Sequence, residues 1–421
     1  MGELSLRRDK LFDALPNNTV ALVFSGVSKI CSEDSFHPFL ANRNFFYLTG
    51  VEQENSILMI VKCAGEKKTY LFLDEYNELK ERWTGKRLTF NEATNISEIV
   101  NVYANSTFDS MLSMALASSN NMYGKIENLF IDLSDEIKIK LNCSTQLFAK
   151  ELEEKYPHLN IKNIYPYIVE LRLVKSDYEI RQLEEAINIT STGINDLLLN
   201  LKVGMAEHEL SDRFEYYGKT HGRIGLAFET IAATGKDATI MHHPIAQQVG
   251  VINSGDLVLF DLGYRYKGYN ADISRTYPID GTFNDFQKRV YEAVLNCNKH
   301  IIEFAKPGLR LCDLQEEALK FLKAECLRLK LLKEEDDIKK YYIHNVSHFL
   351  GLDTHDVGNR ERELVPGNVI TVEPGLYFVE EGVGVRIEDD VLITSEGARC
   401  LSKCIKKELS DIERMMKNRI R

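Results

Sequence analysis

The sequence predicts an α/β chain, of the α+β kind, in two units: a mixed α/β unit over residues 1–168 and a second unit over residues 169–421. Three observations carry that prediction. Up to about residue 165, short apolar runs rich in branched residues alternate with helical patterns, as expected for a sheet with helices packed on its faces. Ser176-Asp177-Tyr178-Glu179 then matches a capping box, in which Ser and Glu satisfy each other's orphan amides, and a new helical period begins. Beyond it lie strand-like runs interrupted by acids. The length of 421 residues agrees with two or three domains.

Taken in order, Leu4, Leu6, Leu11 and Leu15 have helical spacing at the start of the chain. Val20–Gly26, Ile57–Lys62 and Thr69–Asp74 read as buried strands. Asn44–Gly50 is an aromatic-rich run closed by a glycine turn. Ile99–Val102, Leu129–Asp132 and the run near Ile161 add further strands. In the second unit, Ile180, Leu183, Ile187 and Ile194 follow the capping box at helical spacing. Helices are expected at about Asn284–Ala305, which stops before Pro307-Gly308, and at Leu311–Leu332. Glu334–Asp337 reads as an acidic loop. Asp256–Gly263 is a strand interrupted by one acid, Tyr264–Asn270 a hairpin connection, and Ala271–Tyr277 the returning strand. Asn368–Gly375 and Val383–Thr394 are strand-like again.

Charge and composition exclude several classes of function. The net charge is −11, from 63 acidic and 52 basic residues, so the chain repels a phosphate backbone and nucleic acid is not an expected partner. The basic tail Lys403–Arg421 is interrupted by acids and reads as a solvated helix face. No apolar stretch reaches the ~18–20 residues that a membrane span needs. The N-terminus carries no apolar segment of the secretory type, and Leu6 stands where a myristoylation signal needs Ser or Thr. The eight cysteines form no CxxC pair, which points to free thiols in a reducing compartment and a cytoplasmic location.

The chemistry lies in acids placed where an apolar sheet is expected. Asp261 interrupts one strand, Asp272 opens the next, Glu373 interrupts a third, and Glu388 sits in a fourth on the expected face of Gly384, Arg386 and Asp390. A lone buried carboxylate costs several kcal/mol or takes up a proton. Four together need a shared counter-charge, which two divalent cations supply. His348 completes a set of four carboxylates and one imidazole. Such a set suits Mn²⁺, Co²⁺, Zn²⁺ or Fe²⁺ better than Ca²⁺, and lacks the thiolates of structural zinc. Two such ions ~3.5–4 Å apart activate water and polarise a carbonyl, the machinery of amide hydrolysis.

The stretches LVLFDLGYRYKGYNADISRTY, HNVSHFLGLDTHDVG, VITVEPGLY and GVRIEDDVLIT closely resemble the Xaa-Pro aminopeptidase (aminopeptidase P) and prolidase branch of the pita-bread, or M24, metallopeptidases. LRRDKLFDAL, ANRNFFYLTGVEQENSILMIV and ERWTGKRL resemble the N-terminal domain of aminopeptidase P. The resemblance spans nearly the whole chain, and its most specific element is HxxxHxLGLDxHD. It implies an aminopeptidase P-like domain over residues 1–168. It implies a catalytic domain over 169–421 with a curved antiparallel sheet covered by helices. The implied activity is hydrolysis of the bond between an N-terminal residue and a following proline. The implied cofactors are two divalent ions, with Mn²⁺ first.

Residue by residue, the resemblance implies that Asp261 chelates one metal, that Asp272 and Glu388 bridge both, and that His348 and Glu373 bind the other. Glu373 would also be the general acid/base. His355 would hydrogen-bond the substrate carbonyl, His344 and Arg386 would line the proline pocket, and His242 would sit near the scissile bond, with His243 as the adjacent alternative. Arg386 could instead neutralise Glu388 and Asp390. Trp83 would reach a neighbouring subunit's active site or pack within the N-terminal unit. Asn44 stands where some members carry an acid that anchors the substrate amine. Small proline-containing peptides are the implied substrates, and a homodimer or homotetramer the implied assembly. A dipeptide-specific prolidase and a metal-free peptide-binding module on the same fold are the competing readings. Methionine aminopeptidases would not need this N-terminal half, and creatinase-like members lack the metal acids.

Overall fold

The computed structural model describes residues 2–119, 122–134, 138–140, 143–222, 224–334 and 336–419. Glu335 of the expected acidic loop, and Ile420 and Arg421 of the basic tail, lie outside them. The chain divides into two units, Met1–Arg172 and Leu173–Arg421.

The first unit is built on a six-stranded mixed sheet. Its order is Asn160–Asn163, Asn128–Ile131, Thr19–Phe24, Ile57–Cys63, Glu66–Leu73 and Asn101–Ala104. Thr19–Phe24 is buried along its whole length, which explains why it reads as a continuous apolar run without alternation. Leu22, Met59, Phe72 and Leu129 meet in the core beneath it. The run Asn44–Gly50 is a helix, Arg43–Thr49. The Asn42 side chain caps its start by accepting from the Asn44 and Phe45 amides, and Gly50 ends it at φ 67°. Asn44 is buried. Its Nδ2 donates to Asp132 at 2.7 Å and its Oδ1 accepts from Arg172 at 2.8 Å.

The second unit opens with the helix Asp177–Asn200, and the capping box forms as expected between Ser176 and Glu179. The helix Leu311–Arg328 ends before Leu332, because Lys330 turns into the left-handed region at φ 55°. The strands are antiparallel and form short sheets. Ile231–Thr234, Leu257–Leu262 and Ile273–Pro278 make one; Val369–Val372, Asp389–Thr394 and Gly397–Cys400 make another. Gly375–Phe378 pairs with Val383–Arg386. Tyr264–Tyr266 and Tyr269–Asn270 form the expected hairpin, with Lys267 and Gly268 both at positive φ in its turn.

The stretch Val383–Thr394 is two strands rather than one. Between them Ile387 donates to the Pro374 carbonyl and Glu388 to the Ser274 carbonyl, so the chain crosses from one sheet to the next. Gly384, Arg386, Glu388 and Asp390 therefore do not alternate along a single strand.

A buried ion pair ties the start of this unit to the loop that carries His355. Lys175 Nζ meets Asp356 Oδ2 at 2.9 Å, with both side chains 1 % exposed. Removing one partner of such a pair costs about 3–5 kcal/mol, so Lys175→Met is expected to destabilise the protein by that order in urea unfolding. A loss below about 1 kcal/mol would assign the pair no more than a surface bridge's weight.

Candidate metal centre

Strand register brings the acids together. Asp261 pairs with Ser274 and Leu262 with Ile273, so Asp272 lies one step beyond the ladder, two residues from Ser274. Gly263 is needed at this end, since a Cβ there would come within 1.8 Å of the Ala271 carbonyl oxygen. In the neighbouring sheet Thr371 pairs with Asp390 and Val372 with Asp389, and one further step sets Glu373 opposite Glu388. The segment around His348 runs along the same edge. The Thr371 amide donates to the His348 carbonyl and the Glu373 amide to the Val346 carbonyl, both at 2.9 Å.

All five predicted ligands line one cavity of about 940 Å³, whose wall also carries His242, His243, His344 and His355. His348 Nδ1 donates to the Phe349 carbonyl at 3.0 Å, which directs Nε2 at Asp272 Oδ2, 3.4 Å away, and at Glu373 Oε1, 3.6 Å away. These separations are long for hydrogen bonds. They match the ~3.0–3.5 Å edges expected between ligand atoms that each stand ~2.0–2.2 Å from one ion. One ligand atom each from Asp272, His348 and Glu388 falls within 4.8 Å of the others. Asp261 Oδ2 accepts from Arg386 Nη2 at 2.7 Å, while its buried Oδ1 has no partner among the described residues. A buried acceptor with no donor and four crowded carboxylates fit a pair of divalent cations.

The electrostatics agree. Burial, opposed by Arg386 and reinforced by Asp272, pushes the Asp261 carboxyl up to about 6. Burial pushes Glu373 up to about 8, with His348 opposing and Asp272 adding to the shift. Glu388 rises well above the usual range through burial and then its acidic neighbours. His348 is raised to about 9: burial opposes the shift, but Asp272 and Glu373 overcome it.

Arg386 does not neutralise Glu388 and Asp390 directly. It pairs with Asp261, and it also donates from Nε to Ser274 Oγ at 2.7 Å and from Nη1 to the Tyr377 hydroxyl at 3.1 Å. Ser274 in turn donates to Glu388 at 2.8 Å. The Tyr377 hydroxyl lies 2.9 Å from His344 Nε2, and His344 Nδ1 donates to the Asn345 carbonyl. Burial, then Arg386, lowers the His344 pKa to about 3, so the ring is neutral and Nε2 accepts from Tyr377. His355 packs edge-on to His348, with centroids 4.3 Å apart, and burial followed by His348 lowers its pKa.

Of the two adjacent histidines, His242 is exposed at the wall and His243 is buried. Trp83, on the helix Glu78–Thr84 of the first unit, is 89 % exposed. The sequence reading missed Ser274 and Tyr377. Ser274 carried a usable signal, two residues from Asp272 in a strand. Tyr377 carried none until the Gly375–Arg386 pairing set it near Arg386.

Residues 181–395 match the profile of metallopeptidase family M24, and residues 5–123 match that of the aminopeptidase P N-terminal domain. The chain is 31 % identical to a Xaa-Pro aminopeptidase of Haemophilus influenzae, covering 98 % of this chain and 97 % of that one. It is 30 % identical to Xaa-Pro aminopeptidase 3 of Dictyostelium discoideum, covering 100 % of this chain and 83 % of the relative. Among solved structures, a Bacillus anthracis chain provisionally assigned to aminopeptidase P is 41 % identical, with a TM-score of 0.93 over 99 % of this chain and 98 % of that one. Escherichia coli aminopeptidase P with the inhibitor Pro-Leu is 27 % identical, with a TM-score of 0.88 over the same shares. With its catalytic profile, its N-terminal profile and its fold all matched, the chain belongs to metallopeptidase family M24, in the aminopeptidase P branch.

Proposed function

We infer that the chain is a metallo-aminopeptidase that hydrolyses the bond between an N-terminal residue and a following proline. The observation that carries this reading is the convergence of Asp272, His348 and Glu388 in one cavity, in a chain related along its whole length to Xaa-Pro aminopeptidases. Asp261, Asp272, His348, Glu373 and Glu388 would hold two divalent ions, with Mn²⁺ the first choice for a mixed carboxylate and imidazole set. Bound there, the ions supply Lewis acidity to the scissile carbonyl and make water nucleophilic near neutral pH.

The remaining steps fall to this chain's own side chains. Glu373 accepts the proton of the attacking water and returns it to the proline nitrogen as the C–N bond breaks. His355, kept neutral, donates a hydrogen bond to the developing oxyanion. The neutral His344, Tyr377 and Arg386 form a fixed wall for the proline ring, and His242 lies near the scissile bond. Proline accounts for a dedicated site, since its nitrogen offers no N–H for a general peptidase to grip. Trp83, exposed in the N-terminal unit, serves a partner subunit's site in a homodimer or homotetramer. No helix of the described residues is long and apolar enough to cross a membrane. The eight free cysteines fit the reducing cytoplasm.

The test is a time course on a Xaa-Pro dipeptide and a Xaa-Pro-Yaa tripeptide, after chelation and again after adding Mn²⁺. The expected result is release of the first residue from the tripeptide, lost on chelation and restored by the metal. Cleavage of the dipeptide alone would make the chain a prolidase. No cleavage with Mn²⁺, Co²⁺ or Zn²⁺ would remove the reading.

A further inference from the structure

Among the groups that the second unit buries and the reaction above does not use are the paired Glu207 and His243. Glu207 is the first residue of the helix Glu207–Thr220 and is fully buried. Its Oε1 accepts from the Thr234 amide at 2.6 Å, and its Oε2 from His243 Nε2 at 2.9 Å and the Gly250 amide at 3.3 Å. The His243 side chain is 2 % exposed, and its other ring nitrogen has no partner among the described residues. The orientation of the ring therefore depends on Glu207. The same loop is held a second time by Gln248, which donates to the Thr230 carbonyl at 2.9 Å and accepts from Ser211 at 2.6 Å.

Both anchors bond to segments that line the cavity, Thr230–Ile231 and His242–His243. Thr234 ends the strand Ile231–Thr234, which pairs with the strand of Asp261, with Ile231 directly opposite Asp261. His243 is the chain neighbour of His242, which is exposed at the cavity wall. Asp237 lies near enough that Glu207, Asp237 and His243 could each offer an atom to an ion. The Glu207 oxygens are already engaged by two backbone amides and His243, so the cluster is complete without one.

We propose that Glu207 and His243 are positioning residues: a buried pair that clamps the His242 loop to the strand beside Asp261 and so sets where His242 meets the substrate. The pair acts through His242, so the proposal rests on the reading of His242 as a group near the scissile bond. Burying a carboxylate at a helix N-terminus, against two amides and an imidazole, makes a stiff support for an otherwise exposed loop.

The experiment is a double-mutant cycle with metal content measured on every variant. His242→Ala, His243→Phe and the double variant are assayed on a Xaa-Pro-Yaa tripeptide with saturating Mn²⁺. His243→Phe is expected to lower kcat/KM by about 10- to 100-fold, the size of effect that a displacement of about 1 Å produces, while metal content is unchanged. In the His242→Ala background it is expected to cost less than about twofold more. His243→Gln, whose amide N–H can still reach Glu207, is expected to stay within about threefold of the parent. If His243→Phe does not fold, His243→Asn, too short to reach Glu207, takes its place in the cycle.

Losses that add fully across the cycle, a His243→Phe rate within about threefold of the parent, or loss of metal from that variant would each overturn the proposal. If His242→Ala alone leaves the rate unchanged, the role of His242 falls and the clamp's function with it. If His242→Ala is slow and His243→Phe is not, the role of His242 stands and only the clamp falls.

Discussion

Asp272→Asn is expected to reduce turnover of a Xaa-Pro-Yaa peptide by about 10³-fold or more, beyond the loss of a single oxyanion-hole donor. Bound metal should fall with it. Asp272 is 4 % exposed and faces His348 at 3.4 Å, within 4.8 Å of the Glu388 ligand atom. The substitution keeps the volume and removes the charge, so packing is preserved while the counter-charge for the cations is lost. A second readout separates a ligand from a structural acid. Asp272 pushes up the pKa of Asp261, Glu373 and Glu388 in the metal-free protein, so removing its charge relieves repulsion. Asp272 also attracts the protonated His348, and losing that attraction offsets part of the relief, so metal-free Asp272→Asn is expected to melt close to the metal-free parent. Full turnover in the variant, with metal content unchanged, would sink the assignment.

Metal removal is expected to destabilise the protein, and more so at high pH. Asp261 at about 6 and Glu373 at about 8 lie above their ordinary carboxylate values. His348, at about 9, lies above its ordinary imidazole value. For a group raised on folding, the folded state binds the proton more tightly than the unfolded state. Its contribution to stability is complete below the unfolded pKa and is lost as pH rises through the folded one. All three shifts have that sign, so what these three groups contribute to the metal-free protein falls from about pH 4 to about pH 9. The lowered His344 and His355 act the other way, but only below their ordinary imidazole value, so the net loss lies above it. Cations must displace those same protons, so their affinity rises across the same window.

At a metal concentration about a hundred times Kd the gain is ~2.7 kcal/mol, or roughly 5–10 °C in Tm for a unit of this size. Thermal melts with and without chelator at about pH 5.5 and about pH 8.5 should show the larger increment at the higher pH. Titration calorimetry in buffers of different ionisation enthalpy should show proton release on binding. An increment that shrinks as pH rises, or proton uptake, would show that the acids do not hold the ions.

Much of the fold was legible because its signals are local. The capping box at Ser176–Glu179, the buried run Thr19–Phe24 and the Lys267-Gly268 turn each follow from a few neighbouring residues. The run Asn44–Gly50 was less legible, since aromatic richness suits a strand as well as a helix. There the Asn42 cap and Gly50 decided for helix. Val383–Thr394 misled because a continuous apolar period hides a crossing between sheets, which depends on hydrogen bonds to Ser274 and Pro374, distant in the chain.

The candidate centre divides in the same way. Four acids in apolar strand contexts, with one histidine, are visible in the sequence because burying charge is costly and demands a reason. That demand is enough to nominate Asp261, Asp272, His348, Glu373 and Glu388. It does not say which acid Arg386 serves, that Ser274 and Tyr377 join the network, or which of His242 and His243 is exposed and which is buried against a partner. Those outcomes depend on register between strands far apart in sequence and on which side of a loop finds a buried partner. Composition carries the need for a counter-charge; only the folded backbone determines the few ångströms over which each side chain finds its own.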